Sequence, residues 1–216
     1  MGAAPEPVAQ AKPDLAILRV KIELRRRGLL PFTDPESPSL VSIVAGAPVS
    51  GSWWGHPAGH AIYGVGEALE SGPDVLLVRL WRAKQTLVHR RLWPALVAVG
   101  SSRARWQLDG LSEDGQYLLA QVNEGGVVRN DLPRGYAAFR PALRELEKRL
   151  LVLTRSVHTP TGAHALEARS WSDWRKKVRA PTYRGSVASA QRKLEDAARP
   201  LTPGVDPRRL FPWGRS

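Results

Sequence analysis

The cationic side chains form the pattern in this sequence that most favours a chemical role. Three cations recur at i, i+4 and i+8 along a predicted helix, opposite three leucines. The cations are Arg140, Arg144 and Lys148, and the leucines are Leu143, Leu146 and Leu150. Such a stripe could lie along DNA phosphates or enter a major groove. Because Glu145 and Glu147 interrupt it, a solvated helix with internal Glu and Lys pairs is an equal alternative.

Further cations flank a predicted β-hairpin. Arg82 and Lys84 fall in its turn, where the wing of a winged helix would meet the DNA backbone or minor groove. Arg90 and Arg91 follow its second strand, beside His89, and extend this charge. We therefore expect the hairpin to contribute phosphate contacts.

From Trp171 onward, aromatic residues alternate with cations. The cations that open this segment are Arg175, Lys176 and Lys177. The alternation suits neutralisation of a nucleic-acid backbone together with base stacking. The Pro- and Arg-rich end at 199–216 predicts a disordered or docking segment that a protein partner could bind. A strap packed over the core by its aromatic residues is an equal alternative.

The triplet Arg25, Arg26 and Arg27 lies in the last turn of another predicted helix. Cations are stabilised there by the helix dipole, and this explanation is favoured over phosphate contact.

Signals for catalysis or metal binding are weak. His56 and His60 are four positions apart, but no third ligand follows and His56 precedes Pro57, so capping or packing explains them better than a metal. Gly64 and Gly66 lie within a predicted helix and favour close helix packing over a dinucleotide site. We therefore expect no catalytic residue, no metal site and no cofactor.

The composition favours an anionic polymer as partner. The chain has 216 residues and a net charge of +12, from 32 Lys and Arg against 20 Asp and Glu. The absence of cysteine excludes disulfides and thiolate metal sites and fits a reducing cytoplasm. No apolar run approaches the roughly 18 residues of a membrane span. These features predict a cytoplasmic, nucleoid-associated protein that does not enter a membrane.

The elements around these cations are predicted from periodicity and turn signals. Asp14 begins a helix that ends at Gly28 and has Leu15, Leu18 and Ile22 on one face. A loop, two helices and the hairpin then follow. The loop is predicted at Leu29–Pro38 and the two helices at Ser39–Ala45 and Pro57–Glu70. The strands of the hairpin are predicted at Val75–Trp81 and Gln85–Arg90.

The order of elements then repeats. A helix capped by Ser112, a turn at 124–127 and a helix opened by Pro141 come first. Two strand-like runs follow, Leu151–Val157 and Ala163–Arg169, with a turn predicted between them at Thr159-Pro160-Thr161-Gly162. The first copy of this element order ends with Arg91-Leu92-Trp93, and the second copy ends with Arg169-Ser170-Trp171. The two copies begin about 77 residues apart. The sequence thus predicts an α+β, mostly helical fold of tandem winged-helix units, each a helix-turn-helix with a β-hairpin wing.

The predicted boundaries follow from this repeat. They are a disordered leader at 1–13, a first winged-helix unit at 14–93, a linking helix and loop at 94–111, a second unit at 112–174 and a basic tail at 175–216.

Two segments carry a family resemblance. Leu143–Trp174, with Val-His-Thr-Pro-Thr-Gly-Ala-His and Ser-Trp-Ser-Asp-Trp, resembles the winged-helix region of bacterial proteins related to the AlkZ/YcaQ group. That group binds DNA and includes glycosylases that act on alkylated or cross-linked bases. The stretch from Ser-Trp-Trp-Gly-His-Pro to His-Arg-Arg-Leu-Trp-Pro-Ala-Leu is similar to uncharacterised bacterial proteins.

The resemblance implies DNA binding more strongly than it implies catalysis. The glycosylases depend on a Gln-x-Gln or Gln-x-Asp pair. Gln-x-Gln does not occur in this sequence, and Gln-x-Asp occurs once, at Gln107-Leu108-Asp109, outside the two segments that carry the resemblance. We expect a duplex DNA-binding protein, in repair or transcription, that contacts mainly phosphates. A glycosylase-like enzyme is the first alternative and a protein-interaction module the second.

Overall fold

The elements of the first half run from a long helix to a β-hairpin. The computed structural model describes residues 13–125, 127–129, 136–158 and 164–214, so the leader predicted at 1–13 lies almost entirely outside the described residues. The elements of this half are α1 (Pro13–Arg27), β1 (Leu29–Pro31), α2 (Leu40–Ala45), α3 (Gly59–Glu70), β2 (Val75–Arg79) and β3 (Gln85–His89).

The remaining elements begin with two linking helices. They are α4 (Trp93–Gly100) and α5 (Arg105–Leu108), then α6 (Glu113–Gly125), β4 (Val127–Arg129), α7 (Tyr136–Lys148), β5 (Leu153–His158) and β6 (His164–Arg169), and finally α8 (Trp171–Lys177) and α9 (Val187–Ala198). The fold is α+β and mostly helical, as predicted. The linking helix expected after Trp93 is confirmed as α4.

The first sheet is antiparallel and has β3 at its centre, in the order β1-β3-β2. The predicted hairpin is confirmed, with Leu77 opposite Leu87. The prediction of a loop throughout Leu29–Pro38 was wrong, because Leu29–Pro31 pairs with β3. A three-residue strand is too short to show alternation, and Pro31 is tolerated because β1 lies at the sheet edge.

The second sheet has the same arrangement, in the order β4-β6-β5. The two predicted strands are confirmed as β5 and β6, and the turn predicted between them lies outside the described residues. The structure adds β4, which pairs with the end of β6 from Val127 opposite Arg169. The sequence showed only a turn there, since glycines on the helix side dominate the local signal.

The helix α7 begins earlier than predicted. Its first residue is Tyr136, so Pro141 lies inside the helix and does not open it. Proline is favoured at a helix start, and this preference produced the wrong boundary. The cost inside a helix is one missing backbone hydrogen bond.

The face of α1 that packs inward also differs from the prediction. Ala16, Val20 and Leu24 are buried against α2 and α3, whereas Leu15, Leu18 and Ile22 are 44%, 52% and 56% exposed. The buried residues and the exposed residues both have helical spacing. The larger side chains of the exposed set suggested that their face was the buried one. The structure selects the smaller residues, because α1 approaches two other helices.

The core around α4 joins the two halves of the chain. Leu96 and Val99 of α4 are fully buried among residues of the first hairpin, the second hairpin and the C-terminal segment. Trp93 and Trp171, which follow the two hairpins, both lie in this core. The indole Nε1 of Trp93 donates to the Val88 carbonyl at 3.0 Å, and that of Trp171 donates to the Leu150 carbonyl at 2.6 Å.

The C-terminal segment is a strap across this core. Leu210, Phe211 and Trp213 are buried, and Trp213 stacks on Phe211 with ring centroids 4.6 Å apart. Of the two alternatives left by the sequence, the structure therefore shows the packed strap for the tail as far as residue 214.

No helix in the described part of the chain is both long and apolar enough to cross a membrane.

Candidate nucleic-acid interface

The outer face of α7 presents the cationic stripe that the sequence predicts. Arg140, Arg144 and Lys148 are all exposed. The leucines of the opposite face, Leu143 and Leu146, are buried in the core of the second half. Among the residues that the structure describes, neither Arg144 nor Lys148 forms an ion pair. Their charges are thus free to meet an external anion.

The two acids within this helix are held by other parts of the protein. Glu145 accepts hydrogen bonds from the backbone N–H of Ser112 at 3.2 Å and from its hydroxyl at 2.6 Å. Glu147 accepts from Arg79 Nε at 3.3 Å and from the Thr154 hydroxyl. Glu145 also lies 3.8 Å from Arg149, one turn along the chain, but neither acid pairs with Arg144 or Lys148. Instead, the acids anchor α7 to the neighbouring elements.

The turn of the first hairpin lies beside the C-terminal end of α7. Ala83 and Lys148 line one cleft of about 790 Å³, together with Arg105, Trp106, Asp109, Arg149 and Pro212. Lys84 follows Ala83 and is exposed. The structure therefore brings Ala83, which lies between the predicted residues Arg82 and Lys84, to the same cleft as Lys148.

Arg82 has a different role from the one predicted. Its guanidinium lies 2.7 Å from Glu36 and 3.8 Å from the fully buried carboxylate of Asp34. Trp81 Nε1 also donates to Asp34, at 3.2 Å. Arg82 thus neutralises a buried acid and fixes the turn, in which its own φ is +49°. Its charge is largely compensated within the protein.

A second basic surface lies at the opposite end of the hairpin. A cleft of about 490 Å³ is lined by Arg26, Arg27, Arg91, Leu92, Lys193, Asp196, Ala197 and Pro200. Arg91 donates to the Arg26 carbonyl at 3.0 Å. Arg26 and Arg27 both bond Glu23, at 2.8 and 2.7 Å, and these bonds lower the pKa of Glu23. We call this surface the α1–α9 cleft.

His89 lies beside this cleft, and its pKa is lowered mainly by burial. Partial burial lowers its pKa below the ordinary value, and nearby Asp74 opposes this effect. The charges of Arg91, Arg25 and Arg90 lower the pKa further. Arg90 itself forms an ion pair with Asp74 at 3.1 Å. The backbone N–H of Arg91 donates to Nδ1 of His89, which suits the neutral ring.

The third predicted group lies in the last turn of α8. Ser170 caps this helix by accepting from the Asp173 N–H at 3.1 Å. Arg175 is half-buried and donates to Thr182 at 3.1 Å. Lys176 and Lys177 are exposed in the last turn, where the helix dipole favours cations.

The ten predicted residues do not form one continuous surface. Lys84 and Arg90 lie just beyond opposite ends of the five-residue strand β3, and such a strand spans about 17 Å. The cleft that contains Lys148 and the α1–α9 cleft have no lining residue in common.

Other residues singled out in the sequence have structural roles. His56 lies outside α3 and accepts from the Ala58 N–H at 3.1 Å, a local bond in the turn that precedes the helix. Gly66 packs against Phe32, where a Cβ atom would lie 3.0 Å from the ring. In the described ranges, no group of three His, Asp or Glu side chains is placed to hold a metal ion.

The most deeply buried acid of the second half is also structural. Glu167 accepts from Arg155 and Arg169, both at 2.9 Å. Burial alone raises its pKa and is the largest single effect, but the bonds from Arg169 and Arg155 outweigh it. The pKa of Glu167 therefore lies below its ordinary value, and the side chain stays ionised.

Sequence reasoning missed Lys193 of α9 and Arg105 of α5 at these surfaces. Arg105 has no adjacent cation and Lys193 follows only Arg192. The folding of α9 against α4 and of α5 beside α7 places them there. No local signal in the sequence identifies them.

Comparisons of the chain with protein-family models, curated proteins and solved structures give no match. The function must therefore be inferred from the chemistry of these surfaces.

Proposed function

We propose that this protein binds duplex DNA, chiefly through the phosphate backbone, with α7 as the principal contact. The observation that carries the proposal is the exposed cationic stripe of α7, in which Arg144 and Lys148 have no internal ion pair among the described residues. Since both acids of α7 bond to other elements, this face attracts an anionic polymer.

The order of the elements supports a winged-helix assignment for both halves. In each half, a helix and a short strand precede a helix and a hairpin, and the short strand pairs with the last strand. In that architecture, the helix before the hairpin faces the DNA. The outward residues of α3 are His60, Tyr63 and Glu67, which suit phosphates poorly. The corresponding helix of the second half is α7, whose outward residues are cations.

The hairpin turn would lengthen the contact, because Lys84 follows Ala83, which lines one cleft with Lys148 of α7. The α1–α9 cleft, with Arg91 and Lys193, is a separate basic surface. The resemblance of Leu143–Trp174 to DNA-binding proteins supports the same assignment. Backbone contacts of this kind would give affinity with little sequence preference.

The proposal is tested with a fluorescent duplex and the Arg144→Ala/Lys148→Ala variant. The matched control is Arg19→Ala/Lys21→Ala, which removes the same charge from exposed positions on α1. We expect the α7 variant to bind about tenfold more weakly or worse, because two phosphate contacts are lost. The control should change affinity much less. Equal losses in the two variants would mean that only total charge matters and would contradict an interface at α7.

A further inference from the structure

The outer face of α1 has an apolar seam that no described element covers. Leu15, Leu18 and Ile22 are 44%, 52% and 56% exposed, although the helix buries its opposite face in the core. Single exposed leucines are common on protein surfaces, but three aligned aliphatic residues on one helix are not. This seam is separate from the α7 stripe and plays no part in the proposed DNA contact.

The spacing of the seam is that of a coiled coil. Leu15, Leu18 and Ile22 are separated by three and then four residues, which makes them positions a, d and a of a heptad. The seam is narrow, so it fits the ridge of one other helix better than the broad apolar face with which helices enter a lipid surface.

The residues beside the seam indicate the charge of its partner. The e positions are Arg19 and Arg26, and the g positions are Asp14 and Lys21. Arg25 takes the next d position. Flanking e and g charges set which helices pair, and cations predominate here. A complementary helix would carry acidic residues at these positions.

The same charges disfavour pairing with a second copy. In a parallel pair, Arg25 would meet its counterpart and Lys21 would meet Arg26 of the other copy. In an antiparallel pair, Arg19 would meet Arg26, whereas Lys21 would meet Asp14. Like charges across a helix pair are destabilising, so self-association is opposed most strongly in the parallel orientation.

We propose that the outer face of α1 is a docking surface for an acidic amphipathic helix of another protein. Such a helix would place leucines against Leu15, Leu18 and Ile22, and glutamates against Arg19 and Lys21. The protein would then hold a partner through α1 independently of the cations on α7.

The test uses a labelled peptide of three heptads with Leu at a and d and Glu at e and g. A scrambled peptide of the same composition lacks the seam and controls for charge alone. Fluorescence anisotropy with the full-length protein should show binding of the heptad peptide and much weaker binding of the scrambled one. In Leu18→Gln/Ile22→Gln, binding should fall about tenfold or more, because the buried aliphatic contacts are lost.

The matched control variant is Leu108→Gln/Val205→Gln, which makes the same kind of change at exposed apolar positions elsewhere. It should bind the heptad peptide like the wild type. Absence of binding, equal binding of both peptides, or no effect of the Leu18→Gln/Ile22→Gln change would overturn the proposal.

Two further outcomes would overturn it in favour of other occupants. One is sedimentation with phosphatidylserine and phosphatidylcholine vesicles that depends on Leu18 and Ile22, which would indicate an anionic lipid surface. The other is a concentration-dependent dimer that the same variant abolishes, which would indicate a second copy.

Discussion

Arg82 and Lys84 lie two positions apart in one hairpin turn, yet their charges have different uses. Arg82 faces Asp34 and Glu36, whereas Lys84 is exposed and forms no ion pair within the described ranges. The sequence placed both in the turn correctly. It gave no indication of the buried Asp34, because this contact joins residues far apart in the chain.

Arg82→Ala should lower the free energy of unfolding by about 1–2 kcal/mol, since it leaves the buried Asp34 carboxylate without a cation. Lys84→Ala should change that free energy by less than about 0.5 kcal/mol, as expected for a surface position. Urea unfolding of the two variants checks this. A stability loss for Lys84→Ala equal to that for Arg82→Ala would contradict the roles assigned here.

Glu167 should make stability depend on pH in the acidic range. Because its folded pKa lies below the ordinary value of about 4.5, its stabilisation is fully present above that pH and is lost as the pH falls through the folded pKa. Glu167→Gln should be less stable than the wild type at neutral pH. The difference should shrink as urea unfolding is repeated toward about pH 3. A difference that stays constant with pH would mean that the carboxylate charge contributes nothing.

At the scale of elements, the sequence predicted whether a segment is a helix or a strand better than it predicted where the element begins and which face is buried. The capping pair Ser39 and Ser42 and the terminal Gly46, with φ of +82°, define α2 as local signals should. The strands β1 and β4 have three residues each and are held by pairing with β3 and β6, which no local pattern records. Which face of α1 is buried is decided by its packing against α2 and α3, and the sequence of α1 alone does not record that packing.

Because α7 begins at Tyr136, Pro141 lies inside the helix and destabilises it, so its replacement should stabilise the protein. Pro141 is exposed and lacks the N–H that would bond the carbonyl of residue 137. Pro141→Ala should therefore raise the free energy of unfolding by about 1–3 kcal/mol. Thermal or urea unfolding monitored by circular dichroism would measure it. A loss of stability would indicate that the proline ring makes a contact that outweighs the missing bond.

At the scale of the whole molecule, the shared core makes one structure of the two halves. Phe211 of the strap packs against Trp81 of the first hairpin turn at 6.4 Å between ring centroids, and Leu150 and Leu153 of the second half lie in the same cluster. The sequence marked the strap's aromatic residues but left two alternatives, since an aromatic and basic segment can either bind a ligand or pack on its own chain.

Phe211→Ala should cost about 3–5 kcal/mol, as for other fully buried aromatic residues. Because the core is shared, fluorescence and circular dichroism should report one unfolding transition at the same urea concentration. Val205→Ala, an exposed change in the same strap, should have little effect. Two separate transitions in the wild type would contradict a shared core.

DNA binding through phosphates is the central claim, and the salt dependence of duplex affinity tests it most directly. For the wild type, the logarithm of the binding constant should fall steeply and linearly with the logarithm of salt concentration, because each phosphate contact releases counterions. In Arg144→Ala/Lys148→Ala, the slope should be smaller by about 2, near 0.9 for each lost contact. Affinity that does not respond to salt, or an unchanged slope in this variant, would contradict a phosphate-binding role for α7.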